Sequence, residues 1–574
     1  MKFIHKILIL ALVWTMSGCD ATDLDLLDNP NAVTPDNASV NDLYNNVQLA
    51  FRDFYNNTND ITDGMARLTS ATSSYSYQNA FTPQSFNGIW YNAYANLFPD
   101  IQTLLKLAEE RKLDIHAGSA KIMKAYALMS LVDMFGSAPN SQALQGTDVI
   151  SPADDSGPDV YKAAEALLDE AITQLTGTKA AKPTVDNFYG GSNTKWVTLA
   201  KTLKLRIAVT TRLVDSGAAG KINALISGGD LIDQASEDFQ FNYGNKRENP
   251  NSRHPFYNDA YEASDGTYMS NYFMWLLRAD KTDAAGDLVV DPRIRFYFYR
   301  QTAKSVIDDK SVYSCHFSDF PDEEAKPAHY DRVDPRLPYC VAWEDGYWGR
   351  DHLNNEGTPP DGNIKTVYGL YPGGGQFDDN SFTGTQKLGT TGGQGQGISP
   401  ILLSSFVDFM RAEAALTLNT SDDPRALLKS GMEKSISKVI SFKNLVPATL
   451  ARQIDNRGVI KTVEELYVPT AADIKNYVDY VLGKYDAAAS MNTKLDIIVK
   501  EYYISLFGNG LEAYNLYRRT GKPANMAPAL EQSPGPFIRS FFLPADHVNL
   551  NANTSQKVLT QQVFWDTNPA DFVY

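Results

Sequence analysis

From residue 90 to about 135, apolar side chains recur every three to four positions, the spacing that puts them on one face of a helix. Tyr94, Leu97, Phe98, Ile101, Leu104, Leu105 and Ala108 form one such stripe, predicting a helix over 90–107. Ile122, Ala125, Tyr126, Met129 and Val132 form the next, over 118–135, where Gly136 and Pro139 supply stop signals. The pattern repeats with Ala164, Leu167, Leu168, Ala171 and Leu175, then with Trp196, Leu199, Ala200, Leu203 and Ile207. Two helices and a break, twice over, predict helix-hairpin repeats across about 87–237.

The rhythm fails between about 238 and 400, which is rich in Tyr, Gly, Asp and Pro and has only short periodic segments. Within it, the glycines of 371–397 mark a long loop, a class that in compact domains is usually functional or disordered. Helical spacing returns over 402–418. Asp423 and Pro424 offer an N-cap and a first-turn proline, and Thr470 with Asp473 resembles a capping box. Leu495, Ile498, Val499, Tyr502 and Leu506 predict a last helix over 494–517. The expected fold is mainly α, with eight main helices in four hairpins. Two hairpins precede an irregular, loop-rich region and two follow it across about 401–520, all within one domain from 41 to 574.

The N-terminus reads differently. Lys2 and Lys6 precede an apolar run from Ile7 to Trp14, too short to cross a bilayer core of ~30 Å, and Ser17-Gly18-Cys19 follows. These are the three regions of a cleaved secretory signal over 1–18. Residues 19–40 then form an aperiodic acidic tether, with Asp20, Asp23, Asp25 and Asp28 and two prolines. Removing 1–18 takes away two lysines and no acid, so a chain of net charge -16 becomes more acidic still, which argues against a nucleic-acid partner. Export also makes the compartment oxidising. Cys315 and Cys340 are then either a disulfide, worth roughly 3 kcal/mol for a loop of about 25 residues, or two buried thiols.

Motifs for catalysis are missing. The stretch 389–397 lacks the Gly-Lys-Ser/Thr ending of a phosphate loop, the seven His form no ligand pair at helical spacing, and there is no Gly-x-Ser-x-Gly elbow. Neither cofactor nor metal is expected. Pairs such as Glu323-Glu324 resemble the two acids of a glycosidase, but among 68 acids such pairs arise by chance. What stands out is aromatic and amide residues in non-helical sequence: Tyr75, Tyr77 and Asn79 before the first predicted helix, and Trp343, Tyr347, Trp348 and Arg350 after Cys340. Sugar rings stack on aromatic planes and offer hydroxyls to amides and guanidinium groups, so these seven are the candidate ligand contacts, the alternative being that they pack the irregular region's own core.

Taken in order, these features resemble one family. Ser17-Gly18-Cys19 with DNPNAVT over 28–34, WYNAYAN over 90–96, AYALMSLVDMFG over 125–136, EYYISLFGNGLEAYNLYRRT over 501–520 and VFWD over 563–566 are similar to the SusD/RagB family of nutrient-binding outer-membrane lipoproteins. The resemblance implies lipidation of Cys19, and four tetratricopeptide-like hairpins carrying an irregular ligand-binding region. It implies a SusC-like TonB-dependent transporter as partner, and an oligosaccharide or, in the RagB type, a peptide as ligand, without catalysis. The acidic leader after Cys19 is either a signal for display on the cell exterior or a solvated tether. The loop over 72–80 lacks the tryptophan that the starch binder carries there, which argues against starch itself. A secreted hydrolase is the remaining alternative.

Overall fold

The computed structural model describes residues 39–263, 267–303, 326–339, 343, 345–355, 364–385, 389–446, 452–454 and 457–574. The signal, Cys19, most of the tether, Cys315 and Cys340 lie outside the described residues.

The first helix, α1 (Val40–Met65), falls where the sequence reading placed no element. Its N-cap is Ser39, whose Oγ accepts from the Asp42 amide. Asparagine and aspartate crowd its outer face and read as loop, yet Val40, Tyr44, Val47, Phe51, Phe54 and Tyr55 are buried at helical spacing. The helix predicted over 90–107 is present as three joined segments, Asn87–Tyr91, a π turn over Asn92–Leu97, and α2 (Phe98–Glu110). Pro99, in the first turn of α2, has no N–H to donate backward, and the wider turn just before it accommodates that loss.

Helix α3 (Asp114–Phe135) is buried on nearly every side and ends at Gly136, whose φ of 82° is the left-handed cap glycine provides readily. It packs against α2 and against α4 (Gly157–Leu175), so closely that a Cβ on Gly118 would lie 2.5 Å from the Leu175 side chain. α4 packs in turn on α5 (Asn193–Thr210), and α5 on α6 (Ala218–Gly228), a helix the sequence reading did not anticipate.

After the middle region come α7 (Ser404–Leu418) and α8 (Pro424–Ile440), a tightly packed pair. α8 is capped by Asp423, whose carboxylate accepts from the Arg425 amide at 2.9 Å. α9 (Ala471–Ala487) opens on the Thr470–Asp473 capping box, both halves of which form. The single helix expected over 494–517 is two, α10 (Met491–Ser505) and α11 (Gly510–Thr520). Gly508, at φ 94°, turns the chain between them, and Asn509 caps α11 while its amide donates to the Pro400 and Ile401 carbonyls. α11 then lies directly on α1, and a Cβ on Gly510 would sit 2.2 Å from the Asp63 nitrogen. The last long helix thus meets the first.

Buried charge ties this scaffold together. Asp133 of α3 accepts from the Tyr161 hydroxyl of α4, from Arg206 of α5 at 2.9 Å, from Asn515 of α11 at 2.8 Å and from the Trp565 indole at 3.0 Å. Arg206 also reaches Glu512, and Arg519 bridges Glu512 to Glu413 of α7.

The irregular middle is closed at its base by two strands, β1 (Phe239–Asn242) and β2 (Ile398–Leu402), paired antiparallel. The glycine-rich stretch within it serves packing. The Gly393 and Gly395 amides donate to the Gly375 and Gly374 carbonyls, and a Cβ on Gly392 would lie 2.1 Å from the Gly375 oxygen, so backbone rests on backbone.

Candidate functional site

The chain leaving α1 turns at Arg67, whose buried guanidinium donates to the carbonyls of Met65 and Ala527, to the Tyr77 hydroxyl at 3.0 Å and to the Tyr574 carbonyl at 2.8 Å. This side chain pins the loop over 66–80 to the C-terminal part of the protein. It also decides the fate of Tyr77. That ring is 2 % exposed, between His352 at 5.6 Å and Phe537 at 5.7 Å, and it is a core pillar with no face for a ligand.

Two residues away the environment differs. Tyr75 is half-buried and packs against Leu530, and Tyr339 packs against the same side chain from the middle region. Leu530 is itself fixed by its amide, which donates to the His352 carbonyl at 2.8 Å, while Ser70 Oγ donates to the Asp351 carbonyl. Leu530 therefore joins Tyr75 to Tyr339, a residue of the middle region that lies outside the 343–350 run singled out in the sequence. Gln78 and Asn79 are exposed beside them, on the wall of a groove of about 490 Å³ whose other side includes Pro534, Pro536 and Phe542. Under this surface, burial and the nearby Arg67 cation hold the His352 imidazole well below its usual pKa, so it stays neutral.

The run 343–350 is largely interior. A Cβ on Gly349 would lie 1.9 Å from the Met269 carbonyl oxygen, and this close passage carries its neighbours inside. Trp348 is 1 % exposed, and Arg350 is fully buried with its guanidinium 4.9 Å over the Tyr268 ring. Tyr347 is buried beneath the Arg300 guanidinium, 4.7 Å from its ring centre, and burial pushes its hydroxyl well above the usual range. The expectation of a ligand-facing platform from Tyr347, Trp348 and Arg350 is corrected accordingly: these side chains stabilise the irregular region. Trp343 keeps partial exposure, with the Arg278 guanidinium 5.5 Å over its ring and bonded at 2.8 Å to Asp345. Of the seven candidates, Tyr75, Asn79 and Trp343 retain accessible surface.

Tyr339 and Leu530 were not among those candidates. Tyr339 follows Pro338 in an aperiodic stretch, the same signal that marked Tyr75, whereas nothing local distinguishes Leu530. Among the described residues no cluster of three His, Cys, Asp or Glu side chains is placed to hold a metal ion, and no helix is long and apolar enough to cross a membrane.

Residues 30–539 match the family model SusD-like, described as starch-binding associating with outer membrane. The chain belongs to the SusD-like family. Solved structures share its fold at low identity. A chitin-binding protein superposes with a TM-score of 0.63 at 20 % identity, covering 92 % of this chain and 100 % of its own. A SusD/RagB family protein from Bacteroides thetaiotaomicron gives 0.65 at 18 %, covering 93 % and 100 %. A chitin-binding SusD homologue from Flavobacterium johnsoniae gives 0.58 at 18 %, covering 92 % and 98 %. No curated protein matches the sequence. The paired helices around an irregular middle are thus the SusD-like fold, mainly α and tetratricopeptide-like.

Proposed function

We propose that this SusD-like protein is a glycan-binding lipoprotein of the cell surface, anchored through Cys19, which captures an oligosaccharide and passes it to a SusC-like TonB-dependent transporter. The observation that carries the reading is the meeting of Tyr75 and Tyr339 on Leu530, with the Gln78 and Asn79 amides at the rim of the adjoining groove. Half-exposed rings held from behind stack on the apolar faces of sugars at little entropic cost, and neighbouring amides pair with hydroxyl groups. Such a surface suits binding: among the described residues no pair of carboxylates lines the groove, as glycoside hydrolysis would need.

Two structural neighbours are named as chitin binders, so N-acetylglucosamine oligomers stand first in the panel to be tested. Calorimetric titration of the mature chain with soluble oligosaccharides and with mixed tetrapeptides is expected to show glycan binding. Binding of peptides alone overturns the reading in favour of a RagB-like peptide lid, and release of reducing ends by the purified protein makes it a hydrolase. For the anchor, Cys19→Ala is expected to move the protein from the membrane to the soluble fraction, because more than one acyl chain is what gives stable attachment. Unchanged membrane retention contradicts lipidation at Cys19.

A further inference from the structure

The groove beside Tyr75 differs from the rest of the chain in its charge. Asp, Glu, Lys and Arg make up 21 % of the sequence, with a net charge of -16, yet among the described residues none that lines the groove is charged and none is a histidine. Its polar surface comes from the exposed Gln78 and Asn79 amides and the Ser533 and Thr560 hydroxyls, and its apolar surface from residues such as Pro534 and Val558.

The charges next to it are engaged elsewhere. Lys557 precedes the lining residue Val558, but its Nζ donates inward, to the Phe135 carbonyl at the end of α3 and to Ser540 Oγ at 2.7 Å, and burial lowers its pKa to about 7. Arg539, alongside Leu559, is held by both carboxylate oxygens of Asp566. The walls are also tied by backbone. The Arg539 amide donates to the Leu559 carbonyl at 3.0 Å, the Gln556 side chain accepts from the Leu543 amide and donates to its carbonyl, and the Tyr77 amide joins the other lining stretches by donating to the Pro534 carbonyl at 2.9 Å. The uncharged lining is therefore a fixed feature of the fold.

We propose that this groove selects an uncharged glycan, and that sugars bearing a carboxylate, a sulfate or a free amine are rejected there. The inference rests on the glycan reading and adds to it the charge of the ligand. An uncharged sugar exchanges water for the amide and hydroxyl groups of the groove and lays C–H surface on Pro534 and Val558. An ionic group loses water in the same exchange and meets no opposite charge, the case in which taking an ion out of water costs most. The chain's net negative charge already repels acidic sugars at a distance and attracts amines, so the rejection of a free amine is the part that belongs to the groove itself.

The test is calorimetric titration of the mature chain, at physiological ionic strength, with β-1,4-linked tetramers of N-acetylglucosamine and glucose, a glucosamine tetramer with its amines charged, and a galacturonate tetramer, for wild type, Asn79→Asp and Asn79→Lys. At least one neutral tetramer is expected to bind wild type about tenfold or more tightly than either charged one, with an affinity indifferent to salt. Asn79→Asp is expected to shift the preference toward the glucosamine tetramer by about threefold to fivefold, and Asn79→Lys toward the galacturonate tetramer by a similar factor, as for an exposed ion pair. A charged tetramer that binds wild type as tightly as the neutral ones overturns the inference and leaves the glycan reading standing. The same follows if neither substitution changes the preference between charged and neutral tetramers. Binding of none of the four to wild type overturns the glycan reading and the inference with it.

Discussion

Replacing Asp133 by alanine is expected to destabilise the folded chain by about 3–5 kcal/mol, the range for removing one partner from a buried ion pair. The carboxylate is fully buried and accepts from groups on α4, α5, α11 and the C-terminal segment. Alanine leaves the Tyr161 hydroxyl, the Asn515 amide and the Trp565 indole as buried donors without that acceptor, at about 1–3 kcal/mol for an unsatisfied group. Arg206 keeps Glu512 at 3.1 Å, so its charge is not wholly stranded, and this holds the total below the sum of the separate losses. The exposed pair of Lys475 and Asp479 gives the contrast. Both side chains are more than half exposed, and Asp479→Ala is expected to cost no more than about 0.5 kcal/mol. Urea unfolding of the two variants beside wild type checks both. Equal stabilities would mean that the helices are held by apolar packing alone and that the buried network is incidental.

The second large effect concerns affinity. In the double variant Tyr75→Ala/Tyr339→Ala, glycan binding is expected to weaken by about tenfold to a hundredfold, taking each ring to contribute about 0.5–1.5 kcal/mol beyond its area burial. Its thermal melting stays close to wild type, since both rings are partly exposed and pack on Leu530. Trp348→Ala behaves in the opposite way. That ring is 1 % exposed, so its removal opens a cavity and costs about 3–5 kcal/mol of stability without acting on the ligand directly. Trp343 falls between the two, because the Arg278 guanidinium already covers one of its faces.

The contrast between these two tryptophans shows where sequence reasoning stops. Helices with an apolar stripe and a cap were legible: Asp423 and Thr470 stand at the helix starts they predicted, and Gly136 ends α3. α1 carries an equally regular stripe, but its asparagines and aspartates favour turns and mask it. α6 is short and built largely from Ala, Gly and Ser, so its spacing carried no signal. The division of 494–517 at Gly508 depends on Asn509 finding the Pro400 and Ile401 carbonyls, more than a hundred residues earlier in the chain.

The site follows the same rule. That Tyr75 belongs to a surface and Tyr77 to the core is set by Arg67, which takes the Tyr77 hydroxyl, and by Leu530, which supports Tyr75. The burial of Trp348 and Arg350 is set by Gly349 passing against the Met269 backbone. Contacts between distant segments, which local composition does not encode, decide which side chains of these stretches face outward.

The most direct test of the central claim is calorimetric titration of N-acetylglucosamine oligomers and the other soluble oligosaccharides into wild type, Tyr75→Ala/Tyr339→Ala and Trp343→Ala, with a melting curve for each. Binding in wild type that is lost or weakened at least tenfold in the double variant, with melting unchanged, is the predicted result. Glycan binding of equal strength in wild type and the double variant would contradict it and place the ligand elsewhere on the protein.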